Sequence, residues 1–246
     1  MATVLSPEVP AKRAPYGGKT SKAARTRAHI LEVALGLFRS QGYDSTTMRA
    51  IAKAAGVSAG NAYYYFPTKE HLVQGFYARS HAEHLAAARP AMEAARGLEA
   101  RLLAAINTKF DTARDYHAFA GGLFKTAADP ASPLSPFSEA SAPTRLEAIE
   151  LMEEVLQGTR IRTSSALYSE LPHLLWLYLM GLILFWVHDG SEGQARTYRL
   201  ASRTVPVVSK LIRLGSNPLL SPLVKSIVKL MRELREPVAI GSSPSH

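Results

Sequence analysis

The sequence contains no cysteine among its 246 residues, so disulfide bonds, thiolate zinc sites and cysteine nucleophiles are excluded. Its first residues, MATVLSPEVPAKRAPYGGKTSK, lack the apolar core of a secretory signal peptide. No segment alternates apolar and polar residues as a half-buried strand does, and no internal repeat is present. We therefore expect an all-α cytoplasmic protein that begins with a disordered basic arm over residues 1–21.

Acidic residues are scarce in the first third of the chain. Residues 1–79 contain 11 Lys and Arg but only 4 Asp and Glu, whereas residues 80–215 contain 14 of each kind. Most of the formal net charge of +9 therefore lies near the N-terminus. A localised basic excess is typical of nucleic-acid binding, although a solvated basic tail has the same composition.

The residues that follow the arm have the pattern of three short helices. Their predicted spans are residues 22–42, Met48–Ala55 and Ala59–Tyr65. Thr46 or Thr47 is placed to cap the second helix. Ser58 is placed to cap the third by accepting a hydrogen bond from the Asn61 backbone N–H. Gly56 separates these two helices, which we expect to cross closely there, and the whole forms a helix-turn-helix pattern.

The third helix carries residue types that suit contact with DNA on its outward face. Small residues at its start, Ala59 and Gly60, permit close approach to base edges, with which Asn61 can form hydrogen bonds. Tyrosine hydroxyl groups further along the helix and the ammonium group of Lys69 can bind phosphates. These residue types therefore predict a recognition helix.

The stretch TTMRAIAKAAGVSAGNAYYYFPTKEHL and the residues before it resemble the DNA-binding head of the TetR family of bacterial regulators. The resemblance covers residues 25–75. The matching residues are Arg27, Ile30, Leu31, Ala34, Leu37, Phe38, Gly42, Thr46, Thr47, Ile51, Ala52, Ala55, Gly56, Val57, Ser58, Tyr63, Phe66, Lys69 and Leu72. The resemblance implies a homodimer whose two recognition helices enter successive major grooves of double-stranded DNA.

The resemblance also implies roles for individual residues of the head. Thr47, Tyr63 and Lys69 are expected to bind phosphates. Arg49 and Tyr64 occupy positions that often contact DNA in this family. The complete set of expected DNA-contacting residues is Thr47, Arg49, Ala59, Gly60, Asn61, Tyr63, Tyr64 and Lys69.

Behind the head, apolar periodicity predicts a larger helical body. Its predicted helices span Thr68–Arg96, Leu98–Ala128, Thr144–Leu156, Glu170–Val187, Glu192–Leu214 and Leu219–Leu234. Pro90 should kink or interrupt the first of them, and the pair Gly121 and Gly122 should weaken the second. Residues 129–143, rich in Pro and Ser, are predicted as a loop. The predicted domains are a helix-turn-helix domain over residues 22–67, a ligand-binding and dimerisation domain over 68–236, and a disordered tail over 237–246.

By resemblance to the same family, the body should hold a largely apolar pocket for a small-molecule effector, closed partly by the Pro/Ser loop. Aromatic side chains, one methionine and two histidines are the candidates for its wall. They are Phe110, Tyr116, His117, Phe119, Phe124, His173, Trp176, Met180 and Phe185. The histidines could supply the few polar groups that such pockets contain. Ordinary core packing is the alternative for each of these residues.

Two local patterns imitate catalytic motifs. GVSAG at residues 56–60 matches the hydrolase nucleophile elbow, but that elbow follows a strand and here an Ala-rich helix precedes it. GKT at residues 18–20 imitates the end of a phosphate-binding loop, but Arg13 occupies the position of the required leading glycine. Neither pattern predicts an enzyme.

His81, Glu83 and His84 lie close together on one predicted helix, where the two histidines could share a face. Metal binding is one interpretation of this group. We favour the other, in which they are exposed polar side chains of a long helix. We therefore expect no metal site and no cofactor.

The apolar run Leu171–Val187 raises the question of a membrane span. It is 17 residues long and contains Pro172 and His173, whereas a spanning helix needs about 20 apolar residues. We interpret it as a helix that packs on its own subunit on one side and on a partner subunit on the other. By analogy with the family, residues 196–214 would be its neighbour in a four-helix dimer interface.

The predicted last helix has an apolar stripe, with Lys and Arg on its other faces. The stripe runs through Leu220, Leu223, Ile227, Leu230 or Met231, and Leu234. Such a helix suits a membrane surface or the protein's own body. We favour packing on the body, and we expect no membrane partner.

The leading interpretation is a TetR-type transcriptional repressor that binds a palindromic operator as a homodimer and is released by a small, apolar ligand. One alternative is a DNA-binding activator, or a regulator controlled by a protein partner. A more distant alternative is an enzyme or membrane-associated protein in which the helix-turn-helix is incidental.

Overall fold

The computed structural model describes residues 21–161, 164–215, 217, 219 and 221–233. Within these ranges the chain forms α-helices and two short 3₁₀ turns and contains no strand, so the predicted all-α class is confirmed. The helices are α1 Lys22–Gln41, α2 Met48–Ala54, α3 Ala59–Tyr65, α4 Lys69–Ala94, α5 Gly97–Ala113, α6 His117–Ala127, α7 Ala142–Gln157, α8 Ser165–Tyr168, α9 Leu171–Val187, α10 Ala195–Leu214 and α11 Ser221–Glu233. The predicted arm, apart from Ser21, and the predicted tail 237–246 lie outside the described residues.

The head folds as its capping residues predict. The Thr47 hydroxyl accepts a hydrogen bond from the Ala50 backbone N–H at 3.1 Å, which begins α2. The Ser58 hydroxyl accepts one from the Asn61 backbone N–H at 3.1 Å, which begins α3. Gly56 has a φ of +66°, and a Cβ placed on it would meet no atom within 4 Å. The expected close crossing at Gly56 is therefore wrong, and glycine is favoured there by the positive φ of the turn.

The hydrophobic core of the head extends beyond its three short helices. Buried side chains of α1, α2 and α3 pack with the first turns of α4, including Leu72 and Phe76. Phe119 and Leu123 of α6, together with Leu134 of the following loop, belong to the same buried cluster. The head is therefore packed directly against α6, which belongs to the predicted body.

The body has its own buried cluster, built by α4, α5, α7, α9 and α10 and joined by Val228 of α11. Leu175, Leu179 and Leu182 place one face of α9 in this core, where each is at most 3% exposed. Helices α4, α5, α7 and α9 surround a space inside the body, and this space extends to α6.

The predicted helix Leu98–Ala128 is in fact two helices, α5 and α6, separated by a 3₁₀ turn at Arg114–Tyr116. The predicted weak point at Gly121 and Gly122 is wrong, because both residues lie inside α6. The break instead occurs where Tyr116 makes tertiary contacts. Its hydroxyl accepts a hydrogen bond from Arg79 at 2.8 Å, and its ring centroid lies 4.7 Å from that of Phe76.

Helix α4 continues through Pro90 to Ala94 and is not interrupted there. A proline removes the N–H that would bond the carbonyl four residues earlier, which belongs to Ala86. Both Pro90 and Ala86 are exposed, so water can solvate this carbonyl. The cost that usually ends a helix at proline is therefore reduced at this position.

The entry to α10 differs from the predicted start at Glu192. A 3₁₀ turn covers Glu192–Gln194, and the α-helix begins at Ala195. The buried Asp189 carboxylate organises this turn by accepting hydrogen bonds from the backbone N–H and hydroxyl groups of Ser191 and Thr197, at 2.6–3.0 Å. Burial alone would raise the pKa of the Asp189 carboxyl, but these hydrogen bonds lower it below its usual value.

Helix α9 and the residues before it carry the long apolar segment of the sequence. In the described part of the chain, Ala166–Val187 has the length and hydropathy of a membrane span. The buried face of α9 lies in the core of the body, and the core helix of a soluble protein can have the same hydropathy. This segment is therefore weak evidence for a membrane.

The last described helix, α11, packs on the body. Val228 and Met231 are buried, whereas Leu223 and Leu230 of the predicted stripe are more than half exposed. The preferred interpretation of this helix as part of the body agrees with the structure. Of the two alternatives in the predicted stripe, Met231 is the buried one and Leu230 is exposed.

Candidate functional site

One face of the predicted recognition helix α3 is buried in the core of the head, and another face is exposed to solvent. Ala62 is fully buried and Phe66, which follows the helix, is 1% exposed, so these side chains attach α3 to α1 and α2. The opposite face carries Tyr63, which is 45% exposed, and Tyr64, which is 80% exposed. Large aromatic side chains exposed to water on one short helix are characteristic of a surface that binds a partner.

The start of α3 presents the small residues expected there. Ala59 and Gly60 are exposed, and a Cβ placed on Gly60 would meet no atom within 4 Å. Asn61 is half-buried beside them. Backbone or bases of a duplex could therefore approach this end of the helix without steric conflict.

Thr47 and Arg49 lie beside α3 at the start of α2, and both are exposed. The Thr47 oxygen accepts the Ala50 N–H, so the Thr47 hydroxyl proton remains available for donation to a second group. No hydrogen bond or ion pair holds the Arg49 guanidinium within the part of the chain that the structure describes. Both side chains are free to donate to phosphate oxygens.

Lys69 occupies the first residue of α4, next to the end of α3. Its Nζ donates hydrogen bonds to the carbonyl oxygens of Tyr43 at 2.8 Å and of Asp44 at 3.4 Å, and it lies 4.3 Å from the centroid of the Tyr43 ring. These contacts fix the ammonium group at the α1–α2 loop and leave its third proton free. The position is close to the positive end of the α4 dipole, which favours an anion.

A cavity of about 550 Å³ lies in the body between α4, α5, α6, α7 and α9. Five of the nine predicted pocket residues line it. They are Tyr116, Phe119, Phe124, Trp176 and Met180. Phe137 of the Pro/Ser loop also lines the cavity, with its ring centroid 5.4 Å from that of Trp176, so the loop forms part of the wall as expected.

The structure does not bring the other four predicted residues to the wall. Phe110 is buried in the core, with its ring centroid 6.0 Å from that of Trp186. His117 lies behind the wall, with Nε2 2.7 Å from the Trp186 carbonyl oxygen. His173 packs against the ring of Trp176. Phe185 is 41% exposed on the outer surface of α9. These four residues are therefore not part of the candidate cavity.

The polar groups of the wall are ones that the sequence analysis missed. His81 and His84 line the cavity and are 3% and 1% exposed, so their interpretation as exposed side chains is wrong. They are buried because α4 packs against α5 along this face, where His84 Nε2 lies 2.9 Å from the Ala105 carbonyl oxygen. Burial, with the nearby charge of Lys109 as the next cause, lowers the pKa of His81 to about 4 and that of His84 to about 3.

Two cations also line the cavity, Lys109 of α5 and Arg145 of α7. Burial lowers the pKa of Lys109 to about 8, so its ammonium group is still mainly charged at neutral pH. The spacing of His81 and His84 was a signal for a shared helix face. No pattern in the sequence shows that Lys109 would face the same space.

Phe119 connects the cavity to the head. Its ring lines the cavity and stacks on Phe38 of α1, with centroids 5.7 Å apart and planes 5° apart. It also meets the Phe76 ring edge to face at 5.4 Å. One side chain is therefore both part of the cavity wall and part of the head core.

The outer faces of α9 and α10 carry exposed apolar side chains. Phe185 of α9 is 41% exposed there, whereas Leu184, which is 48% exposed, lines the cavity. Val207, Leu211 and Leu214 of α10 are 54%, 62% and 48% exposed. Exposed apolar side chains on two helices that contact each other suit a protein interface.

Residues 56–60, the first of the two rejected catalytic motifs, do not form a nucleophile elbow in the described structure. Ser58 is the cap of α3 and follows a helix, not a strand. Residues 13 and 18–20 lie outside the described residues. Among the residues that are described, no group of three His, Asp or Glu side chains could hold a metal ion.

Two family models match the chain. Residues 30–75 match the model described as bacterial regulatory proteins, tetR family. Residues 101–234, more than half of the chain, match the model of the tetracyclin repressor-like C-terminal domain. The two matches cover the head and most of the body separately.

Curated relatives resemble the head. The HTH-type transcriptional regulator AcrR of Shigella flexneri is 53% identical over 51 residues, which are 21% of this chain and 24% of AcrR. The HTH-type transcriptional repressor KstR2 of Rhodococcus jostii is 39% identical over 59 residues, which are 24% of this chain and 29% of KstR2. The chain thus matches about a quarter of the length of these relatives.

Solved structures resemble the whole fold. A TetR transcriptional regulator from Nitrosomonas europaea has a TM-score of 0.57 at 16% identity, over 74% of this chain and 96% of that one. FadR from Bacillus subtilis, in complex with stearoyl-CoA, has a TM-score of 0.55 at 15% identity, over 76% of this chain and 98% of that one. At these identities the likeness concerns the fold.

Proposed function

Because the chain belongs to the TetR family of bacterial transcriptional regulators, we propose that it is a repressor that binds a palindromic operator as a homodimer and is released by a small, mainly apolar ligand. Its membership makes it a regulator with a helix-turn-helix DNA-binding head and a ligand-binding body. The observation that carries the proposal is the position of Phe119, which belongs to the cavity wall and to the head core together.

DNA binding is assigned to the head, residues 22–67, with α3 in the major groove. Thr47, Tyr63 and Lys69 donate to phosphates and set the orientation of the head on the duplex. Five other residues face the bases or the adjacent backbone of the DNA. They are Arg49, Ala59, Gly60, Asn61 and Tyr64. This division is supported by the exposure of both tyrosines and by the free donors of Thr47 and Lys69.

Dimerisation is assigned to α9 and α10 in the body, residues 68–236. Their exposed apolar side chains, including Phe185 and Leu211, would be buried against the same helices of a second copy. A two-fold dimer presents two heads to one face of DNA, where half-sites lie about 34–36 Å apart or a multiple of this. This geometry is the reason for expecting a palindromic operator. The proposed binding to bacterial DNA is the reason for expecting a cytoplasmic protein.

Ligand release follows from the shared wall. A ligand in the cavity contacts Phe119, and a shift of this ring is passed to Phe38 and so to α1 of the head. If the spacing of the two heads changes, the two recognition helices can no longer enter successive major grooves at the same time. A small shift is therefore enough to weaken operator binding. The stearoyl-CoA held by Bacillus subtilis FadR supports the idea that a body of this fold can enclose an apolar chain.

Selection of bound duplexes from random DNA tests this proposal. The full chain is expected to select an inverted repeat, and to reduce transcription from a promoter that contains it. Tyr63→Phe, which removes one exposed hydroxyl, is expected to weaken binding, whereas Tyr168→Phe in the body leaves it unchanged. Increased transcription would identify an activator instead. Failure to select any duplex, even at low salt, would contradict the DNA-binding role itself.

A further inference from the structure

The wall of the cavity has positive charge and no negative charge. Lys109 and Arg145 line it, and no Asp or Glu is found among its described lining residues. His81 and His84 are neutral at pH 7, because burial lowers the pKa of each well below its usual value. Glu147, whose carboxylate lies 3.5 Å from His81 Nε2, and Glu83 are outside the lining, so the described wall itself presents no carboxylate to a ligand.

Lys109 is the cation of the wall whose charged group has no hydrogen-bond or ion-pair partner among the described residues. Within the described residues its Nζ forms no hydrogen bond and no ion pair. Glu83 is the acidic group that interacts with it electrostatically, but the Glu83 carboxylate lies 3.7 Å from Arg79 Nε and belongs to that pair. A partly buried ammonium group without a partner carries a desolvation cost that a bound anion would offset.

Arg145 differs from Lys109 because its guanidinium is held by the loop. Its Nη1 donates to the carbonyl oxygens of Pro136 at 2.7 Å and Ser138 at 2.9 Å. Arg145 therefore fixes the loop that closes the cavity. Lys109 supplies the positive charge at the α4–α5 end of the cavity, and one ammonium group there matches a monoanionic head group.

The rest of the wall is suited to an apolar body. Phe76, Tyr116, Phe119 and Trp176 present aromatic surface, and Leu123, Met180 and Ile183 present aliphatic surface. A volume of about 550 Å³ is within the range of small-molecule sites, which are ~300–1,000 Å³.

We propose that the effector is an amphipathic monocarboxylate, whose apolar body fills the aromatic part of the cavity and whose carboxylate accepts hydrogen bonds from Lys109. This inference rests on the proposed ligand binding by the cavity. Lys109 is a binding residue in it, and the neutral His81 and His84 line the same end of the cavity without adding charge.

The two tryptophans of the chain allow a direct test. Trp176 and Trp186 are the only tryptophans in the sequence, and both line the cavity. Intrinsic fluorescence therefore reports occupation of this space by a non-fluorescent probe. We would titrate the full chain with decanoate, 1-decanol and decylamine, which share the same alkyl chain and differ in the charge of the head group.

Decanoate is expected to bind at least about tenfold more tightly than 1-decanol, since hydrogen bonds to a charged group are worth about 1.5–3 kcal/mol. Lys109→Met is expected to remove most of this preference while leaving the affinity for 1-decanol within about twofold, because the apolar wall is kept. The alcohol also shows that the variant retains its cavity. Lys125→Met, which removes an exposed lysine of α6, is the control and should behave as the wild type.

Tighter binding of 1-decanol or decylamine than of decanoate by the wild type would overturn the proposal. So would a decanoate preference that survives in Lys109→Met, or the absence of saturable binding of decanoate. Operator binding is measured separately. Lys109-dependent binding of decanoate without any loss of operator affinity would support the carboxylate site and contradict only the proposed ligand release.

Discussion

Phe119 of α6 stacks on Phe38 of α1, with their ring centroids 5.7 Å apart and their planes within 5° of parallel. Phe38 is 2% exposed in the core that supports the recognition helix, and Phe119 forms part of the cavity wall. The contact joins the two functional parts of the chain through side chains without an intervening linker. It explains how a ligand that never touches DNA could alter the position of the head.

Phe119→Leu is expected to weaken the coupling between ligand and DNA. The leucine keeps an apolar side chain in the wall but loses the stacked ring, so decanoate should still bind while changing operator affinity several-fold less than in the wild type. Binding of labelled operator with and without decanoate measures this. The control is Phe124→Leu, because Phe124 lines the same cavity but packs on His188 instead of the head. Equal coupling in the two variants would contradict the role of the Phe38 contact.

Lys69→Met is expected to weaken operator binding and to reduce the slope of log affinity against log salt by about 1, because one phosphate contact is lost. The measurement is a salt series of operator titrations. Lys53→Met, an exposed lysine on α2, is the matched control and should alter the slope less. An unchanged slope in Lys69→Met would contradict the phosphate contact. The ammonium group would then donate hydrogen bonds only to the Tyr43 and Asp44 carbonyl oxygens.

Leu211→Glu is expected to convert the protein from dimer to monomer. Leu211 is 62% exposed in the single chain, and a carboxylate buried there against a second copy would be strongly unfavourable. Sedimentation or light scattering measures the mass. Leu230→Glu on α11 introduces the same change at a side chain that is 53% exposed and should leave the mass unchanged. A stable dimer of Leu211→Glu would place the interface elsewhere.

Lys109→Met is expected to stabilise the ligand-free protein by about 1–3 kcal/mol at pH 7, because burial of the charged form is no longer required. The pKa of Lys109 is lowered to about 8 in the folded chain from its ordinary 10.5, so the unfolded chain binds more protons between these values. The wild type should therefore gain stability as the pH rises from about 8 to 10.5, and the advantage of the variant should disappear over that window. Denaturant unfolding across this range measures it, and an advantage that is independent of pH would contradict burial as its cause.

Ligand binding through Lys109 should weaken over the same alkaline range. The groups that interact with Lys109 are His81, His84 and Glu83 of α4, and α7 contributes Arg145 to the same wall and Glu147 at 3.5 Å from His81 Nε2. Both histidines are already neutral above pH 6. The loss of decanoate affinity above pH 8 is therefore assigned to the ammonium group. In Lys109→Met, decanoate affinity should be nearly constant between pH 8 and 10.

The fold of the head could be predicted from the sequence because its signals are local. Ser58 and Thr47 cap the helices that follow them, and Gly56 marks the turn between the helices, so each boundary depends on neighbouring residues. The physical reason for a glycine at position 56 could not be predicted from the sequence. Backbone conformation and close packing both favour glycine, and only coordinates distinguish them.

The body was less predictable because its features depend on contacts between distant residues. The break between α5 and α6 occurs at Tyr116, where Arg79 and Phe76 meet it, and not at the paired glycines. In the same way, Phe110 and Phe119 are both buried aromatic residues, yet only Phe119 faces the cavity. The buried positions of His81 and His84 follow from the packing of α4 on α5, which no local pattern specifies.

Reciprocity between the two sites gives the most direct test of the account. Decanoate affinity is measured by tryptophan fluorescence on the free protein and on the protein saturated with its selected operator. By thermodynamic linkage, the operator must weaken decanoate binding by the same factor by which decanoate weakens operator binding. We predict a reduction of at least about fivefold, within the range of known allosteric couplings. Equal decanoate affinities with and without operator would contradict the claim that the cavity controls the head.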